Sequence, residues 1–288
     1  MSDYPYFSEL IQEVVVRFPI QKKAIELFAF PQGDDYWKFG ERVSVGVSKM
    51  RDVSPADAYR QLCLDLMTEQ RHFDRTGEYR QTQRGANDQI YSQPDTMRPY
   101  VVGLMLSYLF WQNHYEMMKF YIAHLPQSPR YVLDVGAGHG LFSVEMLREN
   151  PEVYLDIVDI SEASLQLTHE TLQAMGVYPA KVLFRHGDFL TETFGEHGYD
   201  FLIMGEIIEH VEDVQGFLQK ASSLLRHGGK IFLSTCANCP APDHVYQFHS
   251  VNEIRETIYR SGLVINSDLA LPTLSTTVNY CAILSREI

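Results

Sequence analysis

The sequence predicts an α/β fold, an open and mostly parallel sheet with helices on both faces, preceded by a mainly helical segment. Three observations predict it. From Arg130 onward, short apolar runs of strand length alternate with helix-length segments, the pattern of a parallel sheet. A glycine-rich turn over residues 134–140 stands between the first strand and the first helix of that half. Acidic residues recur at the strand ends: Asp159, Asp188 and Glu206.

The elements follow in order. Residues 8–30 carry apolar residues at helical spacing, broken by Pro19, and residues 31–35 (PQGDD) read as a loop. Ser54 and Pro55 form a helix start, Ser54 as cap and Pro55 at the first helical position, opening a helix over 55–73. Residues 76–96 are polar, with Gly77, Gly85 and Pro94, and read as a long loop or lid. Residues 97–125 are helical and aromatic-rich. Strands are then predicted at 131–135, 153–160, 181–185, 200–204, 230–235, 263–269 and 278–285. Between them lie helices at 141–148, 162–175 (capped by Ser161 and stopped by Gly176), 214–225 and 251–260. The last two strands have no helix between them and are free to pair antiparallel. The boundary falls near Pro126, giving a helical segment 1–126 and a sheet domain 127–288.

Composition bounds the function. Of 288 residues, 45% are hydrophobic and 21% charged, which excludes a mainly disordered chain. The net charge of −13 disfavours non-specific binding to phosphate backbones. Cys63, Cys236, Cys239 and Cys281 are too few for a disulfide framework and read as reduced thiols of a cytoplasmic protein. The N-terminus has neither the basic start nor the apolar run of a signal peptide. The most apolar window, residues 100–111, is too short to cross a bilayer and reads as a buried helix. No membrane role is expected.

The turn Asp134-Val135-Gly136-Ala137-Gly138-His139-Gly140 lets the backbone approach a ligand closely. The dinucleotide fingerprint has two residues between its second and third glycines; this turn has one. Ligands of open α/β sheets sit over the carboxyl ends of the strands. There, Asp159 can accept from both ribose hydroxyls and Asp188 from an adenine amino group. Together they suit an adenosine whose binding needs no phosphate contacts.

On these residues, the last 160 or so positions resemble the class I S-adenosylmethionine-dependent methyltransferases. The resemblance implies a seven-stranded Rossmann-like methyltransferase sheet whose last strand is antiparallel. It implies that Gly136, Ala137 and Gly138 pack against the cofactor and that Asp134 helps hold its methionine end. It further implies that Asp159, beside Ile160, binds the ribose, and that Asp188, beside Phe189, lies near adenine. The N-terminal helices would form a lid, and Tyr115, in Asn113-His114-Tyr115, is expected to face the cofactor.

Gly205-Glu206-Ile207-Ile208-Glu209-His210 follows the fourth strand, where methyl transfer would occur. His210 suits a general base, assisted by Glu209. The Glu-x-x-Glu-His pattern is similar to ubiquinone-pathway O-methyltransferases and to small-RNA 3′-end 2′-O-methyltransferases. In the latter, the matching residues join a later histidine around a divalent metal. His244, in Asp243-His244-Val245-Tyr246-Gln247-Phe248-His249, can play that part, so Glu206, Glu209, His210 and His244 form a candidate metal shell and His244 a third candidate catalytic residue. The alternative is that Glu206 touches the cofactor, Glu209 caps a helix and the histidines only line the pocket. A single Cys236-x-x-Cys239 lacks the second pair of a structural zinc site, and two small pocket-side residues is the default reading. Arg71, His72 and Arg75 read as a solvated helix end or as a clamp for an acidic substrate.

The leading expectation is S-adenosylmethionine-dependent methylation of a small molecule in secondary or cofactor metabolism, such as a natural-product intermediate. Oxygen is the favoured acceptor, with nitrogen or carbon open, and the acceptor arrives free or tethered to a carrier protein. The alternatives are a metal-dependent RNA-end 2′-O-methyltransferase, disfavoured by the net charge, and a non-catalytic cofactor-binding partner protein, disfavoured by the intact glycine loop. The apolar N-terminal helices can serve an oligomer interface as well as a lid.

Overall fold

In the computed structural model, residues 3–50, 52–177, 181–195, 198–273 and 276–287 are described. The N-terminal segment is helical: α1 (Pro5–Arg17), α2 (Lys22–Ala29), α3 (Asp34–Ser48), α4 (Pro55–Thr76), α5 (Gln83–Ala86), α6 (Pro94–Phe110) and α7 (Gln112–Ala123). Ser54 caps α4 by accepting from the Asp57 amide at 3.3 Å. Gly77, left-handed, terminates it one turn later than expected.

Three expectations change here. The sequence reading missed α3, whose buried Tyr36, Phe39, Val43 and Val47 follow helical spacing; its helix-poor Gly40 and Gly46 hide the signal. Gly40 is where the Phe7 ring packs closest. The expected loop at 76–96 is partly helical, with α5 running into a π-helical turn, Asn87–Tyr91. The helix expected over 97–125 is two helices that break at Trp111, whose backbone is extended. The apolar window is buried in α6, as expected. Among the described residues no helix is long and apolar enough to cross a membrane.

The rest alternates as predicted: β1 (Tyr131–Val135), α8 (Leu141–Glu149), β2 (Tyr154–Asp159), α9 (Glu162–Ala174), β3 (Val182–His186), β4 (Tyr199–Gly205), α10 (Val214–Leu224), β5 (Leu225–Ala237), α11 (Val251–Arg260), β6 (Leu263–Pro272) and β7 (Val278–Arg286). The seven-stranded sheet has the order β3-β2-β1-β4-β5-β7-β6. Strand β7 runs antiparallel to both β5 and β6, and the other neighbours are parallel. Two strands run longer than expected: β5 starts at Leu225, upstream of the Gly228-Gly229 pair expected to precede it, and β6 continues to Pro272. Tyr199 pairs with Leu225 but Phe201 with Lys230, so β5 bulges between them, with Gly228 at φ +79°.

Successive strand residues point to opposite faces. Val132, Phe201 and Phe232 join one apolar cluster with the N-terminal helices and α8. Leu133, Leu202 and Leu233 join a second with α10 and α11. Chain order reverses between β1 and β4, which opens a crevice at the strands' carboxyl ends.

Candidate active site

The glycine turn forms the floor of that crevice. Gly136, Gly138 and Gly140 all have positive φ, +69°, +54° and +74°. The Gly136 amide donates to the Val158 carbonyl at 2.8 Å, and Thr168 of α9 donates to the Gly138 carbonyl at 2.9 Å, so both flanks of the loop are pinned. A Cβ on Gly138 would meet nothing nearer than 3.8 Å. That side is open to the cavity, which Gly136, Ala137 and Gly138 line.

Asp159, at the end of β2, is held by the Ser161 amide (2.8 Å) and the Ser164 hydroxyl (2.7 Å), and burial raises its pKa against these bonds. Asp188 accepts from the Leu190 amide at 2.9 Å. Phe189 packs on Phe217, ring centroids 4.6 Å apart. Asp159, Ile160, Asp188 and Phe189 all line one cavity.

The acid–histidine segment meets the cavity from the other side. Glu206 follows β4 with φ +51°, a left-handed conformation unusual outside glycine. Its amide is fixed at 3.1 Å by both the carbonyl and the hydroxyl of Ser234. One carboxylate oxygen of Glu206 is buried without a partner among the described residues. Glu209 is nearly fully buried; one oxygen accepts from Thr235 at 2.8 Å and the other has no partner. Burial pushes Glu206 up to about 7, and burial followed by the nearby Glu206 raises Glu209.

The Glu209 carbonyl accepts from the amides of Val245 and Tyr246 (2.8 and 2.9 Å), which docks the Asp243-His244 loop against the segment. His210 Nδ1 lies 3.1 Å from the Asp243 carbonyl and 2.9 Å from the Tyr91 hydroxyl. His244 Nδ1 lies 2.6 Å from the Cys239 carbonyl. The two imidazoles meet edge to face at 4.9 Å. Burial first, then the neighbouring His210, lowers His244 to about 4. With both Nδ1 atoms occupied, Nε2 is the nitrogen each ring offers a ligand.

Donor atoms of Glu209, His210 and His244 lie within 4.8 Å of one another. So do those of Glu206, Glu209 and Cys236, and of Cys236, Cys239 and His244. The Cys-x-x-Cys pair thus borders the carboxylate–histidine cluster; Cys239 lines the cavity and Cys236 is buried behind it. All four cysteines are free thiols.

Two expected cofactor contacts lie elsewhere. Asp134 sits beneath the loop, outside the cavity lining, with the Ser143 hydroxyl donating to it at 2.6 Å and burial pushing it up to about 7. It buttresses the turn. Tyr115 lies outside the cavity lining and packs on Tyr36, Phe28 and Phe39, because one position along α7 from His114 turns its side chain by about 100°. Arg71, His72 and Arg75 also lie outside the lining.

Sequence reasoning missed the role of Asp243, which accepts from Tyr100 at 2.6 Å and Tyr91 at 3.4 Å. It also missed the buried Tyr108 and His139. The sequence marks His139 only as a member of the glycine turn, and Tyr108 reaches the cavity through the long-range packing of α6. The cavity has a volume of about 190 Å³, and no Lys or Arg is among its described lining residues.

Known proteins are similar to this chain in sequence or in fold. The family model described as methyltransferase small domain matches residues 116–259, half of the chain. The ubiquinone biosynthesis O-methyltransferase of Xanthomonas axonopodis pv. citri is 31% identical over 124 residues, covering 43% of this chain and 50% of that protein. The ribosomal RNA small subunit methyltransferase C of Shewanella loihica is 30% identical over 138 residues, covering 46% and 39%. The chain thus spans about half, or less, of the length of these relatives. Among solved structures, that of the mitomycin 7-O-methyltransferase superposes with a TM-score of 0.56 at 14% identity, covering 77% of this chain and 68% of that one, a likeness of fold. On the family match and the strand order above, the chain belongs to the methyltransferase small-domain family, within the class I S-adenosylmethionine-dependent methyltransferases.

Proposed function

We propose that the protein transfers a methyl group from S-adenosylmethionine to an oxygen of a small-molecule acceptor, with a divalent cation at the acceptor end. One observation carries the reading. The adenosine-type carboxylates Asp159 and Asp188 and the cluster Glu206, Glu209, His210 and His244 line or border the same cavity from opposite sides.

The glycine loop fits a bound nucleoside because its open side at Gly138 leaves room for a ligand. Asp159 would accept from the ribose and Asp188 from the adenine, against Ile160 and Phe189. The cofactor supplies an electrophilic methyl on sulfonium. The enzyme's part is positioning, exclusion of water and removal of the acceptor's proton.

The residues also fit a cation. Two buried carboxylate oxygens have no partner among the described residues, and two imidazoles have Nδ1 anchored on backbone carbonyls. Glu206, Glu209, His210 and His244 would hold the ion, which when bound would polarise the acceptor oxygen and lower its pKa. Without it, His210 is the base, oriented by Asp243 and Tyr91. The segment 1–126 would act as the lid: Tyr91, Tyr100 and Trp111 wall the cavity. The ubiquinone relative's name supports a small-molecule oxygen acceptor. The ribosomal RNA relative is the argument for RNA, but a cavity without Lys or Arg among its described lining residues offers phosphates no counter-charge.

Calorimetric titration with S-adenosylhomocysteine in metal-free buffer, then with magnesium, manganese or zinc, tests both parts. Saturable binding without metal is the expected result, and no binding under any condition refutes the methyltransferase reading. A metal heat abolished by His210→Ala with His244→Ala supports the cation. If no metal binds, His210 acts directly as base.

A further inference from the structure

Three polar side chains that line the cavity have no part in the scheme above, and the first of them, Tyr108, lies within electrostatic reach of Glu206 and Glu209. Tyr108 comes from α6, His114 from α7 and His139 from the glycine turn. The Tyr108 ring lies 5.1 Å from His114 and 4.9 Å from His139, centroid to centroid, and all three line the cavity. Tyr108 is 1% exposed, and its hydroxyl has no partner among the described residues. Buried hydroxyls are normally hydrogen-bonded, so an orphan on a cavity wall points to a ligand.

The hydrogen bonds fix the histidine tautomers. The Ser107 hydroxyl donates to the Leu104 carbonyl at 2.6 Å, which leaves its oxygen to accept from His114 Nδ1 at 2.7 Å. His114 therefore offers the cavity a lone pair on Nε2. His139 Nδ1 accepts from the Leu141 amide at 3.1 Å, so its proton sits on Nε2. Burial lowers both imidazoles to about 3, which keeps them uncharged. The wall thus combines two donors and an acceptor with no formal charge. That pattern suits a group carrying a positive and a negative centre side by side.

The residue expected to hold the methionine end of the cofactor, Asp134, lies beneath the loop and is bonded to Ser143. Building on the proposed cofactor, we infer that Tyr108, His139 and His114 receive its zwitterionic amino-acid head. The Tyr108 hydroxyl and His139 Nε2–H donate to the carboxylate, and His114 Nε2 accepts from the ammonium. The N-terminal helices would then complete the cofactor site as well as cover it.

The test compares S-adenosylhomocysteine with 5′-methylthioadenosine, which keeps the nucleoside and thioether but lacks the amino-acid head. Both are titrated calorimetrically into the full chain. Tyr108→Phe removes one oxygen that has no protein partner, so the variant should unfold at or above the wild-type temperature. It should bind S-adenosylhomocysteine roughly tenfold more weakly, as expected for one hydrogen bond to a charged group, with methylthioadenosine unchanged. His139→Asn, which keeps an acceptor near the Leu141 amide but shortens the donor, should show the same split. Equal weakening of both ligands would mean a packing role and overturn the proposal. Unchanged binding of both would overturn it too, leaving the hydroxyl to the acceptor. If the wild type binds neither ligand, the cofactor reading itself fails, a result distinct from a lost preference between them.

Discussion

Single glycines in the turn carry different loads. A Cβ on Gly136 would lie 2.5 Å from Ile207 Cδ1 at a φ of +69°, so Gly136→Ala meets both a clash and left-handed strain. Gly138→Ala, at φ +54° with nothing nearer than 3.8 Å, meets the strain alone. Gly138→Ala should therefore cost about 1–2 kcal/mol of stability and weaken S-adenosylhomocysteine binding, because its methyl enters the cradle. Gly136→Ala should lose more of both. Thermal unfolding and calorimetry on the pair check this; wild-type affinity in Gly138→Ala would remove the loop from the cofactor site. The glycine turn was legible in the sequence because the positive φ of Gly136, Gly138 and Gly140 demands that residue there, and the strand-end acids because they recur in register with the strands. Asp134 was read as a cofactor contact from the motif alone, while the lie of its carboxylate depends on Ser143, nine positions on in α8.

Helix contacts set the shape of the cavity's upper wall. Gly103 of α6 crosses α4 so closely that a Cβ would lie 2.8 Å from the Ala58 carbonyl and 2.9 Å from Leu62 Cβ. Replacing glycine by alanine inside a helix ordinarily stabilises by about 1 kcal/mol. Here the sign should reverse. Gly103→Ala should destabilise by about 1–3 kcal/mol through overpacking against backbone. It should also weaken cofactor binding, since Tyr100 and Tyr108 flank that crossing on α6. Denaturant unfolding measures the first effect, and a stabilised variant would mean the helices separate freely. The caps of α4 and α9 were legible, because Ser54 and Ser161 each accept from an amide three residues on; Asp213 and Ser250 cap α10 and α11 in the same way and went unread. Helix α3 was illegible because its glycines serve helix packing and cost local propensity.

The helical segment and the sheet share one apolar cluster. Tyr121 of α7 packs on Phe142 and Phe232 at 4.9 and 4.7 Å and donates to the Phe142 carbonyl at 2.9 Å. A chain cut to residues 127–288 should expose that face and aggregate or bind hydrophobic dyes. A soluble 127–288 fragment that binds S-adenosylhomocysteine with wild-type affinity would show instead that the helices contribute neither to the sheet's stability nor to the cofactor site.

By itself the sequence determined the strand–helix alternation, the glycine turn and the family. Each of these is written in short-range signals: periodicity, capping residues and positive-φ glycines. Only the tertiary structure decided which polar groups share the cavity. The two amide bonds to the Glu209 carbonyl bring His244 beside His210, and α6 carries the unpartnered Tyr108 hydroxyl to the glycine loop. Tyr115 turned from the cofactor to the core for the same reason: one position along a helix rotates a side chain by about 100°, and packing chooses which of two neighbours faces the ligand.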